Sequence, residues 1–271
     1  MAGFFGLFNY EKEGPGIAKD APKKKTVFVF VETFFRNFWK FIPINLVYSV
    51  LSFPQITDGL ASAGLTHVAR QTARDKHSFG LSDFYDTIKK NWKQSLASGI
   101  INSVVYILLF FDIYFFWFMK KGTLSTVCLA FSFCILFVFT IMQFYIPTLI
   151  ITFKFSLKQV YKNAYKFFFI NLKNNLICFF SLVLSLAVYF GVLYLLQSYW
   201  LIVLPIEIIV FAATFPGYRF LMIQYCVFPP IKKYIIDPYY KEHPDEDIEK
   251  RRDLGLEIET EEEGTEENIE D

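Results

Sequence analysis

Five long apolar segments, set apart by Lys-rich amphipathic stretches, constrain this chain more than anything else in it. A helix needs about 20 mostly apolar residues to cross the hydrocarbon core of a bilayer. Segment one runs over about 27–53, segment two over 95–118, segment three over 124–152, segment four over 176–196 and segment five over 199–228. These lengths predict an all-α integral membrane protein with about five transmembrane helices, multi-pass in the cell membrane. Composition agrees: 54% of residues are hydrophobic and 20% aromatic, far above soluble usage.

The turns at Lys120, Lys121 and Gly122, and at Gln197 and Ser198, are short, so segments two and three, and four and five, read as helical hairpins. Segment five contains Pro205, Pro216 and Gly217, which predict a kink or break near its middle. Segment one has two readings. Glu32, Arg36 and Lys40 lie four apart on one stripe, and Pro43 follows. It is either one long kinked span or an interfacial helix to Lys40 followed by a half-membrane excursion that turns over 54–59. No cleavable signal peptide is expected, because the first 25 residues lack an apolar core with a cleavage site after it.

The formal net charge of +1 hides a split. Residues 253–271 hold ten acidic and no basic residues, so 1–252 carry a net of +11. Basic loops beside apolar spans mark the cytoplasmic side and contact with anionic lipid, not nucleic acid. Arg70, Arg74, Lys76, Lys89, Lys90 and Lys93 follow segment one, and Lys154, Lys158, Lys162, Lys166 and Lys173 separate segments three and four. This pattern puts the C-terminus in the cytoplasm. The side of the N-terminus stays open: Lys23, Lys24 and Lys25 favour the cytoplasm, and only a re-entrant segment one would place them there.

The chain divides into a polar segment (1–26), a first membrane segment with its following loop (27–80), two similar units (81–152 and 153–230) and an acidic cytoplasmic tail (231–271), disordered after 253. Each unit is an amphipathic interfacial helix followed by a hairpin. Asn91-Trp-Lys-Gln-Ser-Leu96 opens the hairpin of the first, and Asn171-Leu-Lys-Asn-Asn-Leu176 that of the second. Two parallel repeats suit a transporter, and equally a duplicated hairpin with no transport role. On the interfacial helices Lys89, Lys90, Trp92, Lys93, Lys158, Lys162 and Lys166 are the candidate contacts, either to lipid headgroups or to a docked partner.

Asp112 and Glu207 are the acids well inside secure spans, roughly 10–12 Å below the same surface. They would line a polar path, or lie shallow enough for water to reach them. Arg219 is expected to snorkel. Cys128, Cys134, Cys178 and Cys226 fall in apolar segments without a C-x-x-C and read as small buried hydrophobes. Three scattered histidines make no metal site. No nucleotide, hydrolase or metalloprotease motif occurs. The chain is therefore expected to be no enzyme, to hold no cofactor, and to show no small-molecule site in its sequence.

Gly3-Phe-Phe-Gly-Leu-Phe-Asn-Tyr10, Gly14-Pro-Gly16, Lys19-Asp-Ala-Pro-Lys-Lys-Lys25, Asn91-Trp-Lys-Gln-Ser95 and Pro238-Tyr-Tyr-Lys-Glu-His-Pro-Asp-Glu-Asp-Ile248 resemble the YesL-like family of bacterial membrane proteins. The loop motif of Pro54, Thr57, Gly59 and Gly64 fits its pattern too, with Leu60 standing where the family has proline. The resemblance implies a companion of carbohydrate ABC importers in Gram-positive bacteria. It lacks the E-A-A…G coupling pattern of an importer permease. The expectation is an auxiliary subunit that packs against the permeases and stabilises or regulates them. The alternative is an independent small-solute transporter or channel with Asp112 and Glu207 between its repeats.

Overall fold

The computed structural model of the chain describes residues 26–118 and 122–243. Lys23, Lys24, Lys25, Lys120, Lys121, the N-terminal motif and the acidic tail after 253 lie outside the described residues. The regular elements among the described residues are all helical: α1 (Thr26–Arg36), α2 (Phe38–Ser52), α3 (Asp58–Ala73), α4 (Leu81–Phe118), α5 (Thr123–Thr152), α6 (Leu157–Ile170), α7 (Leu172–Leu195), α8 (Trp200–Ile231) and α9 (Asp237–Glu242). Four helical stretches, 81–118, 123–152, 172–195 and 197–242, are long and apolar enough to span a membrane. Toward the hairpin tips their Phe, Leu, Ile and Val side chains face outward. Four such helices with exposed apolar faces suit a lipid surrounding. The all-α integral membrane fold expected from the segments is the one that forms.

Segment one and the stretch after it fold as a helical hairpin: α1 and α2 meet at Asn37, and α3 doubles back along them. α1 starts beside the far end of α8, where Phe30 packs on Tyr225 and the Tyr225 hydroxyl donates to Thr33 Oγ1 at 3.1 Å. α2 then rises along α8 until Ser49 reaches the carbonyl of Ala212, near the middle of that helix. There the chain turns through a 3₁₀ segment, Gln55–Thr57, and α3 returns. Pro54 follows the end of α2; its carbonyl accepts the Thr57 N–H at 2.7 Å, and the Thr57 hydroxyl lies within hydrogen-bond reach of the Leu51 and Pro54 carbonyls.

The stretch after segment one, expected as a loop, is instead the most buried helix of the molecule. On α3, Ala61, Ala63, Leu65, Val68 and Ala69 are fully buried. Small residues make this possible, since close backbone approach is what holds helices together in lipid. An added Cβ at Gly59 would stand 2.1 Å from the Ser95 carbonyl of α4, and one at Gly99 would stand 2.3 Å from the Ile56 carbonyl. At Gly64 the same Cβ would strike the Phe84 ring at 2.7 Å. Gly59 and Gly64, read as a loop motif, are therefore helix-packing contacts.

The two units differ in the chain's path. α4 is one unbroken helix of 38 residues that fuses the first interfacial helix to segment two. In the second unit Asn171 separates α6 from α7. α6 begins with a capping box, Ser156 and Gln159 satisfying each other's backbone N–H groups.

α8 is continuous through Pro205, Pro216, Pro229 and Pro230, so of the kink or break expected around Pro205, Pro216 and Gly217 the break does not form. Proline lacks the N–H that would bond the carbonyl four residues earlier. Other helices supply the missing donors. Ser49 Oγ donates to Ala212 O, the carbonyl freed by Pro216, at 3.1 Å. Beside it Asn45 Nδ2 donates to Ala213 O at 2.7 Å. Asn171 Nδ2 donates to Cys226 O, the carbonyl freed by Pro230, at 3.1 Å. Asn171 also donates to the Tyr145 hydroxyl, which in turn donates to Asn175 Oδ1 at 2.6 Å. The second Asn-rich motif thus stitches α5, α6, α7 and α8 together.

Candidate functional site

A cavity of about 780 Å³ lies between the α4–α5 hairpin and α8, with the turn between α2 and α3 as its floor. That volume is within the range of small-molecule sites, roughly 300–1,000 Å³. α2 contributes Tyr48, Ser49 and Ser52; α3 contributes Asp58 and Ser62; α4 contributes Ser98, Asn102, Ser103 and Tyr106; α5 contributes Gln143; α8 contributes Arg219. Phe110, Phe211, Phe215 and Phe220 give it aromatic walls.

Asp58 is the first residue of α3, so the positive end of the helix dipole favours its carboxylate. The Tyr48 hydroxyl donates to Asp58 Oδ1 at 2.8 Å, and Ser62 Oγ donates to Oδ2 at 3.3 Å. Arg219 is half-buried on the same cavity, its guanidinium carbon 5.1 Å from the centroid of the Phe220 ring. It faces the cavity rather than snorkelling to the surface. Acid and base share this wall without an ion pair, so both have hydrogen-bonding capacity to offer inward.

The opposite wall is a side-chain chain. Gln143 Nε2 donates to Asn102 Oδ1 at 3.2 Å, and the Tyr161 hydroxyl of α6 donates to the same oxygen at 2.7 Å. Tyr161 is also 3.4 Å from Ser98 Oγ. Asn102 is therefore held from two helices, which fixes its amide at the cavity surface. Non-helical backbone at membrane depth persists only where protein covers it or where it lines a water-filled cavity. Residues 53–56 are exposed, and Phe53 and Gln55 line this cavity.

The other residues singled out from the sequence lie elsewhere. Asp112 is exposed on the outer face of α4, and Glu207 is half-buried on α8; neither lines the cavity. Lys89, Lys90, Trp92, Lys93, Lys158, Lys162 and Lys166 are all exposed. Of the cysteines only Cys178 is buried; Cys128 and Cys226 are partly buried, and Cys134 is exposed. The sequence identified no small-molecule site, and this cavity is a feature it did not locate. A signal for it was present, since Ser95, Ser98, Asn102 and Tyr106 form a polar stripe of helical period in an apolar span.

No curated protein and no solved structure matches the chain significantly. Residues 41–113, which hold most of α2, all of α3 and most of α4 and thus much of the cavity wall, match the profile of DUF624, a protein family of unknown function.

Proposed function

We propose that the chain is an auxiliary membrane subunit of a carbohydrate importer, binding a small polar solute in its cavity and docking the importer through its basic end. The observation that carries this reading is the position of α6. Its outward face presents Lys158, Lys162 and Lys166. Its inward face sends Tyr161 to Asn102 on the cavity wall. One short helix therefore joins a charged docking surface to the solute chamber. The hydroxyl, amide, carboxylate and guanidinium groups of the chamber suit a polyhydroxylated solute, and its aromatic rings suit the apolar faces of sugar rings. The carbohydrate connection itself comes from the YesL-like resemblance. The DUF624 match over 41–113 supports kinship with a family of unknown function, and leaves the partner to experiment. An independent transporter built on Asp112 and Glu207 draws no support, because neither faces the chamber.

The test is recovery of the tagged full-length protein from native membranes in mild detergent, followed by mass spectrometry. A permease pair in stoichiometric amount is expected. Reversing the charges of Lys158, Lys162 and Lys166 to glutamate should release it. Recovery of the wild-type chain alone would rule out the subunit reading.

A further inference from the structure

The outward face of α6 is a stripe of exposed cations. Lys158, Lys162 and Lys166 recur every fourth residue, so they spread over about 12 Å of one helix face. The opposite face, with Val160, Ala164, Phe167 and Phe168, is buried. Among the described residues none of the three lysines forms an ion pair. Their neighbours in sequence supply no acid: residues 113–206 hold seven lysines and neither Asp nor Glu.

The complementary charge lies further along the chain. Residues 253–271, outside the described residues, hold ten acids and no Lys or Arg. The point from which they depart shares a core with α6. Helix α9 ends at Glu242, and its Tyr240, with Ile236 before it, is buried in the apolar cluster that also takes Val160, Ala164 and Phe167. From His243 to Asp253 is ten residues, a reach of up to about 35 Å, against a length of roughly 21 Å for α6. A tether that short keeps the acids at an effective concentration on the order of millimolar. Exposed ion pairs that are weak one by one then suffice for contact. Anionic headgroups are the rival occupant, each with one charge against the ten of this segment. We infer that the acidic segment 253–271 docks on the Lys158, Lys162 and Lys166 face of α6. The contact does not rest on the importer reading; where an importer docks on the same lysines, the segment competes with it.

The test is the rate at which two thiols meet in the full-length protein. Tyr165→Cys, at a position 51% exposed beside the stripe, is paired with Thr265→Cys in a background lacking the four native cysteines. The protein is held in phosphatidylcholine nanodiscs, and copper phenanthroline oxidises the pair to a disulfide. Lys158→Gln, Lys162→Gln and Lys166→Gln together should slow the reaction about tenfold, the effect of three exposed ion pairs of ordinary strength. Lys158→Arg, Lys162→Arg and Lys166→Arg together should keep the original rate, which separates lost charge from lost folding. Salt at about 1 M should bring the lysine stripe down to the rate of the glutamine variant. Gln197→Cys with Thr265→Cys, at the opposite end of the bundle, should couple far more slowly. Equal rates for the lysine stripe and its glutamine variant, or equal coupling at position 197, would overturn the inference. So would a lysine-stripe rate that drops to the glutamine level once phosphatidylglycerol replaces phosphatidylcholine, since lipid would then be the occupant.

Discussion

Glycine carries much of the specificity in this fold at the level of single residues. At Gly59 and Gly99 the obstacle to a side chain is backbone of the crossing helix, which has no rotamer to yield. Overpacking of that kind costs typically 1–3 kcal/mol, and rigid backbone puts these sites at the upper end, about 3 kcal/mol. Gly191 on α7 has nothing within 4 Å of a built Cβ. The prediction is a contrast. Gly59→Ala should lower the melting temperature in detergent by about 6–12 °C, whereas Gly191→Ala should leave it within about 2 °C or raise it. Size-exclusion fluorescence after heating reads both. Equal behaviour of the two variants would mean that α3 and α4 do not cross at Gly59.

Between elements, the chain solves one problem repeatedly: a proline frees a carbonyl in α8, and a polar side chain from another helix answers it. For Pro216 the answer comes from Ser49. A buried carbonyl left without a partner costs about 1–3 kcal/mol, so Ser49→Ala should destabilise by about that much. In a Pro216→Ala background residue 216 regains its N–H, and Ala212 regains a partner within α8. Ser49→Ala should then cost about 1 kcal/mol less, a coupling that a double-mutant cycle in a denaturation series resolves. Strict additivity would show that the serine serves another purpose. This logic also explains what the sequence disclosed. Hydropathy found the membrane-crossing parts of α4, α5, α7 and α8, because their apolar runs are long enough to span. It passed over α3, whose Asp58, His67, Arg70 and Gln71 depress the average and whose Gly and Ala residues add little to it. The informative property there was small side-chain size, as in Gly59-x-x-x-Ala63, rather than hydrophobicity. The solute chamber was half legible. Its α4 stripe has helical period, but Asp58 and Arg219 share one cavity only because α3 doubles back, and no local pattern announces that return.

For the molecule as a whole, the return of α3 decides the topology. If segment one crossed the membrane, residues on either side of it would face opposite compartments. In the structure Thr33 and Asn171 both lie against the last turns of α8, at Tyr225 and Cys226, and Arg74 lies against Phe228. The start of α1, the end of α3 and the α6–α7 junction therefore share one end of the bundle. Gly122 and Gln197 mark the opposite end, at the tips of the α4–α5 and α7–α8 hairpins. Single cysteines placed in a background lacking the four native ones convert this into a measurement. Val27→Cys, Lys76→Cys and Lys162→Cys should react with a membrane-impermeant maleimide in the same preparation, either intact cells or inverted vesicles. Gly122→Cys and Gln197→Cys should react in the other. Gln55→Cys, in the floor of the chamber at membrane depth, should react only with small permeant reagents or from whichever side the chamber opens. Labelling of Val27→Cys and Lys76→Cys from opposite sides would mean that segment one spans. The floor of the cavity would then be lost, and with it the placing of Asp58 and Arg219 on one cavity wall.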